Sequence, residues 1–321
     1  MPKVSVVITS YNGEPFLEAA VRSALGQTHC NLQVIVADDG SADESPEIIR
    51  SFAAADPRVI GLFSDSNQGL SKNWNRAVAR AEGDYVALIA CDDLMLPQKI
   101  ERQLAFMEAH PEYGISTHDM EVFDSLTGRK LYFTDERFRP PTPDWRGVFA
   151  TNWFFGRQMK SIPSSILARR EFLTAAFFDE RFRICNEWLH MIECLARTGL
   201  KWGHLGERLG RYRIHDSQLH SSPEANRNSF AETMALLDLT ARRYPRLAVL
   251  ARRKRDFTYF EHLFYGWFPA SELSKREIEF RREAGWLKWV YLRFCRAYKK
   301  RRGLFEATRP LRKWVERFAA R

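Results

Sequence analysis

Four near-continuous apolar runs, Val4–Thr9, Leu32–Ala37, Val59–Phe63 and Tyr85–Ala90, alternate with helical patterns up to about residue 115. Runs without in/out alternation suit strands covered on both faces. The stretches Pro15–Gln27, Asp43–Ala55, Ser71–Ala81 and Pro97–His110 carry helix-start signals: Asp43 and Ser71 as N-caps, Pro97 in a first turn. This βαβα rhythm predicts an α/β fold on a mostly parallel twisted sheet with flanking helices and right-handed crossovers. In such sheets a ligand sits outside the carboxyl ends of the strands, at the switch point. Three of the runs lead there into polar residues: Thr9-Ser10-Tyr11-Asn12, Asp38-Asp39-Gly40-Ser41 and Asp92-Asp93.

Each of these endings has a bland use and a chemical one. Asp-Gly is a common turn pair, and one aspartate can cap the next helix. Beside Thr9 and Tyr11, however, a carboxylate at Asp39 can take hydrogen bonds from a base or ribose while Tyr11 stacks on the base. Adjacent carboxylates at Asp92-Asp93 repel each other unless a cation or donors compensate. Mg²⁺ is usually held by one or two carboxylates plus substrate phosphates, and a strand-end acid pair supplies them. Asn67-Gln68-Gly69-Leu70-Ser71 has neither dinucleotide-fingerprint nor P-loop spacing. There Gly69 permits a tight turn, and Lys72, Asn73 or Asn75 can reach ribose or phosphate or lie on the helix surface. Glu187 opens a helix, where an acid is favourable against the helix dipole with no further role. His215 ends the strand-like Tyr212-Arg213-Ile214, and a histidine there is either structural or a phosphate or metal contact.

Past Tyr113 the rhythm breaks into a mixed half. Strands are expected at Tyr113–Phe123, Ser164–Ala168 and Arg208–Ile214, with helices at Arg170–Ala176 and Glu187–Thr198. Pro140–Pro143 marks a loop, and the aromatic-rich Phe149–Phe155 can pack or line a pocket. After Ser222 the pattern is helical almost throughout, broken near Tyr244-Pro245, Pro269 and Gly303, so we expect a catalytic-type domain over 1–222 and an all-helical, basic, aromatic-rich extension over 223–321. Charge separates these regions as well. From Pro223 onward there are 24 Lys/Arg against 11 Asp/Glu, an excess of 13 that leaves the remainder of this +9 chain at −4. Five cysteines at irregular spacings form no disulfide framework or paired metal motif. No apolar run reaches the roughly 18–20 residues of a membrane span, and no leader pattern precedes Val4. A cytoplasmic setting is expected.

Together, Val4-Ser5-Val6-Val7-Ile8-Thr9-Ser10-Tyr11-Asn12, Asp38-Asp39-Gly40-Ser41, Asn67-Gln68-Gly69-Leu70-Ser71, Gly83-Asp84-Tyr85 and Asp92-Asp93 resemble glycosyltransferase family 2, in order and spacing, over residues 1–115. The resemblance implies a GT-A fold and inverting transfer from a nucleotide-sugar, UDP-linked by expectation, to an acceptor hydroxyl. It implies nucleotide contacts from Thr9, Tyr11, Asn12, Asp39, Asn73 and Asp92. It also implies a Mg²⁺ or Mn²⁺ site at Asp93 and His215, with Asp93 the direct ligand. Ala90 stands where the family often has the first acid of Asp-x-Asp-Asp. Asn186-Glu187-Trp188 resembles the family's Glu-Asp-Trp-like segment and makes Glu187 the catalytic base, one methylene longer than the usual aspartate. Tyr212-Arg213-Ile214-His215 resembles Tyr-Arg-x-His, which sets His215 near the diphosphate.

Residues 252–302 interleave basic clusters with Trp, Phe and Tyr, the composition of an interfacial membrane helix. They suggest an anionic membrane surface, at the inner face of the cell membrane, and a glycan or lipid-linked acceptor in bacterial surface polysaccharide or glycolipid synthesis. Packing against the catalytic domain is the alternative, and no nucleic-acid module is present. Two other readings stay open: a catalytically silent nucleotide-sugar-binding or scaffold protein, and a sugar-phosphate nucleotidyltransferase. The Gly-rich loop of the latter is missing, since Thr9–Gly13 holds a single glycine.

Overall fold

A computed structural model of the protein describes residues 1–137, 143–144, 162–183, 187–218 and 223–249, with scattered positions from 251 to 290. The chain divides into two compact units, Met1–Ala251 and Arg252–Arg321. In the first unit β1 (Val4–Ser10), β2 (Leu32–Asp38), β3 (Val59–Phe63) and β4 (Tyr85–Ala90) pair in parallel in the order β3-β2-β1-β4. All residues of β1 and β2 are buried, which explains their unbroken apolar sequence. Alternate side chains feed two cores. Val7, Ile35 and Leu88 pack with Trp74 on one face; Val6, Ile8, Val34 and Ile89 pack with Leu17, Ile49 and Ile100 on the other. Each such buried Ile or Leu contributes about 1.5–3 kcal/mol.

Helices α1 (Glu14–Leu25), α2 (Ser45–Ala55), α3 (Leu70–Ala79) and α4 (Lys99–Ala109) follow the four strands. Asp43 accepts hydrogen bonds from the Ser45 and Glu14 backbone N–H groups and so serves two helix starts. Ser71 does not cap α3. The helix starts one residue earlier, and the Ser71 hydroxyl donates instead to the Phe182 carbonyl at 2.5 Å.

The rest of the sheet is mixed. β5 (Leu94–Met95), β6 (Tyr113–Asp124), β7 (Lys130–Phe133), β8 (Leu167–Arg169) and β9 (Lys201–Ile214) continue the order as β4-β8-β6-β9-β5, with β7 on β6. β8 is antiparallel to β4 and β6, whereas β6 and β9 run parallel. Three expectations shift here: a 3₁₀ turn at Pro163–Ser165 replaces the start of the strand expected at Ser164, β9 begins at Lys201 rather than Arg208, and β5 and β7 were not foreseen. Short helices α5 (Thr134–Arg137) and α6 (Arg170–Thr174) lead on to α7 (Glu187–Thr198) and α8 (Pro223–Arg243). α8 lies beyond the expected division at 222, yet its Leu237 packs with Leu247 and Ala251 into the first core. Among the described residues no helix is long and apolar enough to cross a membrane. The basic segment 252–302 lies almost wholly outside the described residues, as do Pro140–Thr142 and Phe149–Phe155.

Candidate active site

The register aligns the strand ends. Thr9 pairs with Ala37 and Ala90, and Ser10 with Asp38, so the residues that follow β1, β2 and β4 emerge side by side. Thr9 is buried there, and Tyr11 is 50% exposed at the rim. Asn12 has φ +49°, a conformation that asparagine tolerates better than most residues. Its N–H donates to the Ser41 hydroxyl and its Oδ1 accepts from Ala42 N–H, latching the end of β1 to the turn after β2. At Gly13 an added Cβ would meet Cys91 Sγ at 2.7 Å, so the first turn can lie against the end of β4 only with glycine there.

Asp38 and Asp39 are both buried and closed by backbone donors. The Asp38 carboxylate accepts from Gly40 N–H, Ser41 N–H and the Ser41 hydroxyl. The Asp39 carboxylate accepts from Gln68 N–H and Gly69 N–H, each at 2.9 Å. Gly69 has φ +94°, which lets the loop turn its N–H groups toward Asp39. Of the nearby α3 residues, Lys72 lies on the exposed surface and donates to Gln68 Oε1, whereas Asn73 and Asn75 are internal hooks. Asn73 Nδ2 donates to the Ala37 carbonyl and its Oδ1 accepts from Arg76, which also donates to the Asp38 carbonyl. Asn75 exchanges hydrogen bonds with the backbone of Phe178.

At the end of β4 the two aspartates diverge. Asp93 is 1% exposed and turned inward; its carboxylate accepts from the Ser164 hydroxyl at 2.5 Å and Arg213 N–H at 3.0 Å. Burial, with the charge of Asp92 added, pushes its carboxyl well above the usual range. Asp92 faces His215 instead, Oδ2 to Nε2 at 3.0 Å, and its side chain keeps 21% exposure. His215 is held from two further sides, by the Ser217 hydroxyl at Nδ1 and by the Phe16 ring at 4.5 Å. Arg213 stacks between Phe16 and Phe123 and donates its Nε–H to the Asp92 carbonyl. Thus Asp92, not Asp93, is the aspartate that stands with His215. The metal site was expected at Asp93 and His215; in the structure His215 meets Asp92, while the Asp93 oxygens accept from Ser164 and Arg213.

Beneath this edge α4 carries a buried lysine. Lys99 is fully buried, donates to the Ile166 carbonyl, and has its amine pushed down to about 7 by burial. Gln103 donates to the Ser165 carbonyl, so α4 fixes the turn whose Ser164 holds Asp93. Glu187 opens α7, half-buried, four residues after Arg183, whose guanidinium bonds Asn67 of the loop that closes on Asp39. Asn186 and the Trp188 side chain lie outside the described residues. Sequence reasoning missed Ser164, Arg213, Phe16 and Arg183. Their signal is spatial, and only the Tyr-Arg-x-His segment pointed toward one of them.

A divalent cation fits the Asp92–His215 pair in chemistry, a carboxylate oxygen beside an imidazole nitrogen. Among the described residues no group of three or more His, Cys, Asp or Glu could hold a metal ion. Among the described residues this pair offers two donors, and a diphosphate would complete the set.

The glycosyl transferase family 2 profile matches residues 5–162. An uncharacterized glycosyltransferase of Nostoc, alr2836, is 30% identical over 247 residues, which is 74% of this chain and 73% of the relative. The chain belongs to glycosyltransferase family 2. It spans about half, 52%, of a Haemophilus influenzae glycosyltransferase that is 35% identical over 41% of this chain. Among solved structures, Staphylococcus aureus TarS 1–349 in complex with UDP-GlcNAc is similar with TM-score 0.57 at 17% identity, covering 81% of this chain and 71% of TarS. A mannosyltransferase from Pyrobaculum calidifontis, PcManGT, in complex with GDP-Man and Mn²⁺, is similar with TM-score 0.54 at 15% identity, covering 98% and 83%. These likenesses show the fold expected from the sequence.

Proposed function

We propose that this family 2 glycosyltransferase moves a sugar from a nucleotide-sugar to an acceptor hydroxyl with inversion, using the edge of β1, β2 and β4 as its donor site. The observation that carries the reading is the Asp92–His215 pair at 3.0 Å, one strand from Tyr11 and two from Asp39 at the same sheet edge. Tyr11 and Thr9 flank the base, and Asp39 takes a hydrogen bond from it; Asn12 and Asn73 hold that surface from behind. Asp92 and His215 would hold a Mg²⁺ or Mn²⁺ ion with the diphosphate, and Asp93 ties the turn after β4 to the end of β9 through Arg213 N–H. UDP-GlcNAc and GDP-Man in the two neighbours support a nucleotide-sugar donor, and Mn²⁺ in one of them supports metal use.

When bound, the cation supplies charge neutralisation at the leaving diphosphate. Glu187 takes the proton from the acceptor hydroxyl as that oxygen attacks the anomeric carbon, and the bond to the phosphate oxygen breaks on the opposite face. Base catalysis of this kind supplies about 10²–10⁴-fold. Glu187→Gln therefore cuts transfer by about that factor while nucleotide affinity stays within twofold, read by product formation and calorimetry. A Gln variant that turns over at the parent rate removes Glu187 from the role. The acceptor is a glycan or a lipid-linked sugar, and the basic segment 252–302 meets an anionic membrane. Flotation with anionic but not neutral vesicles tests that attachment; a protein left wholly in the soluble fraction refutes it.

A further inference from the structure

The Asp39 carboxylate is held by a loop, and among the described residues Arg183 braces that loop from outside. Among the described residues the Asp39 carboxylate bonds to Gln68 N–H and Gly69 N–H. These belong to a segment whose Gly69 has φ +94°. Arg183 braces that segment in three ways. Its Nη2 donates to Asn67 Oδ1 at 2.6 Å and to the Asn67 carbonyl at 3.3 Å. Its own carbonyl accepts from Leu70 N–H at 3.2 Å, just past the glycine. Its Cβ–Cγ stem lies where a Gly69 Cβ would point, at 3.2–3.3 Å. Arg183 N–H in turn donates to Glu232 of α8 at 2.8 Å, which ties the brace to a helix packed into the core. The brace therefore grips the loop at Asn67 and at Leu70, on both sides of the two N–H groups that aim Asp39.

We propose that Arg183 is a positioning residue for nucleotide recognition: it fixes the 67–70 loop, and through it the carboxylate that meets the nucleoside. The inference rests on the reading of Asp39 as a nucleoside contact. Arg183 touches neither nucleotide nor sugar in this account, so its loss acts on donor affinity and KM far more than on kcat. The Asn67 side chain and the Arg183 guanidinium share one link, so removing either breaks that link and removing both adds little.

The experiment is calorimetric titration of UDP and of GDP, each with Mn²⁺, into the full chain, alongside steady-state kinetics and the melting temperature of each variant without ligand. For the diphosphate that the parent binds, Arg183→Ala and Asn67→Ala each weaken binding about fivefold, the size of one lost hydrogen-bonded link. The double variant stays close to fivefold rather than reaching about 25-fold. KM for the donor rises in step while kcat changes less than twofold, and Arg183→Lys recovers part of the affinity. Unchanged affinity in Arg183→Ala, or multiplied losses in the double variant, overturns the proposal, as does a lower melting temperature with intact binding. Asp39→Asn separates the two levels of the argument. If it leaves affinity intact, or if the parent binds neither diphosphate, the donor-site reading falls and the brace with it. If Asp39→Asn weakens binding and Arg183→Ala does not, only the brace falls.

Discussion

The ends of β2 and β4 both place two adjacent aspartates after a buried parallel strand, yet the surrounding structure treats them differently. At β2 both carboxylates are closed by backbone N–H groups of short loops, from Gly40 and Ser41 for Asp38 and from Gln68 and Gly69 for Asp39. At β4 the partners come from far along the chain: Ser164 and Arg213 hold Asp93, and His215 meets Asp92. The β2 end is a nest of main-chain donors, suited to holding one carboxylate still against a neutral base. The β4 end sets a partly exposed carboxylate against an imidazole and has a buried acid behind it, which suits a charged ligand. Identical dipeptides at equivalent strand ends thus acquire different chemistry from their partners.

Substitutions can break this contrast. The largest effect is expected at the open acid. Asp92→Asn lowers kcat/KM by about 100-fold by weakening metal-supported diphosphate binding, measured by initial rates across Mn²⁺ concentrations. Next comes Asp93→Ala, which strands the buried Ser164 hydroxyl and Arg213 N–H. An unsatisfied buried group costs about 1–3 kcal/mol, so the apo melting temperature falls by roughly 5–10 °C. If instead the protein melts unchanged and loses only metal response, Asp93 is a ligand and the two acids exchange roles. Asp39→Asn is smaller: one backbone N–H loses its acceptor, and nucleotide affinity falls about tenfold with its metal dependence intact.

The smallest effect is a pH slope from Lys99, under the β4 turn. Its amine sits near 7 in the folded protein against about 10.4 when unfolded, so between those values the unfolded chain binds the additional proton. Stability therefore rises as pH increases from 7 to 8, by at most about 1.4 kcal/mol per unit. Above that range the Cys91 and Cys194 thiols, both pushed up to about 12 by desolvation, act in the opposite sense. Denaturant melts of the parent and Lys99→Met at pH 7 and 8 check this: the parent gains more than the variant, and equal slopes would remove Lys99 as the cause.

The same contrast explains what could be read from the sequence. β1, β2 and β4 and their helices were legible because both faces of each strand are buried, which writes the fold into local apolar runs, and β3 was legible from its apolar run although it is the half-buried edge strand. The Asp38-Gly40-Ser41 turn was legible for the same local reason. β5 and β7 were not: they are two and four residues long and exist through pairing with β9 and β6. The division of labour between Asp92 and Asp93 was hidden too, since it depends on Ser164 and on a strand that begins at Lys201. Ser71, Asn73 and Asn75 look like ligand contacts or caps in sequence; Ser71 and Asn75 become internal hooks once the 178–183 segment lies along α3, and Asn73 hooks the end of β2 through the Ala37 carbonyl.

The most direct test of the central claim is the affinity of the diphosphate that the parent binds, with Mn²⁺ and with EDTA, for the parent, Asp92→Asn and Asp93→Asn. EDTA is expected to weaken binding to the parent and to Asp93→Asn alike, whereas Asp92→Asn binds weakly and equally in both conditions. Metal sensitivity that survives in Asp92→Asn and vanishes in Asp93→Asn would contradict it.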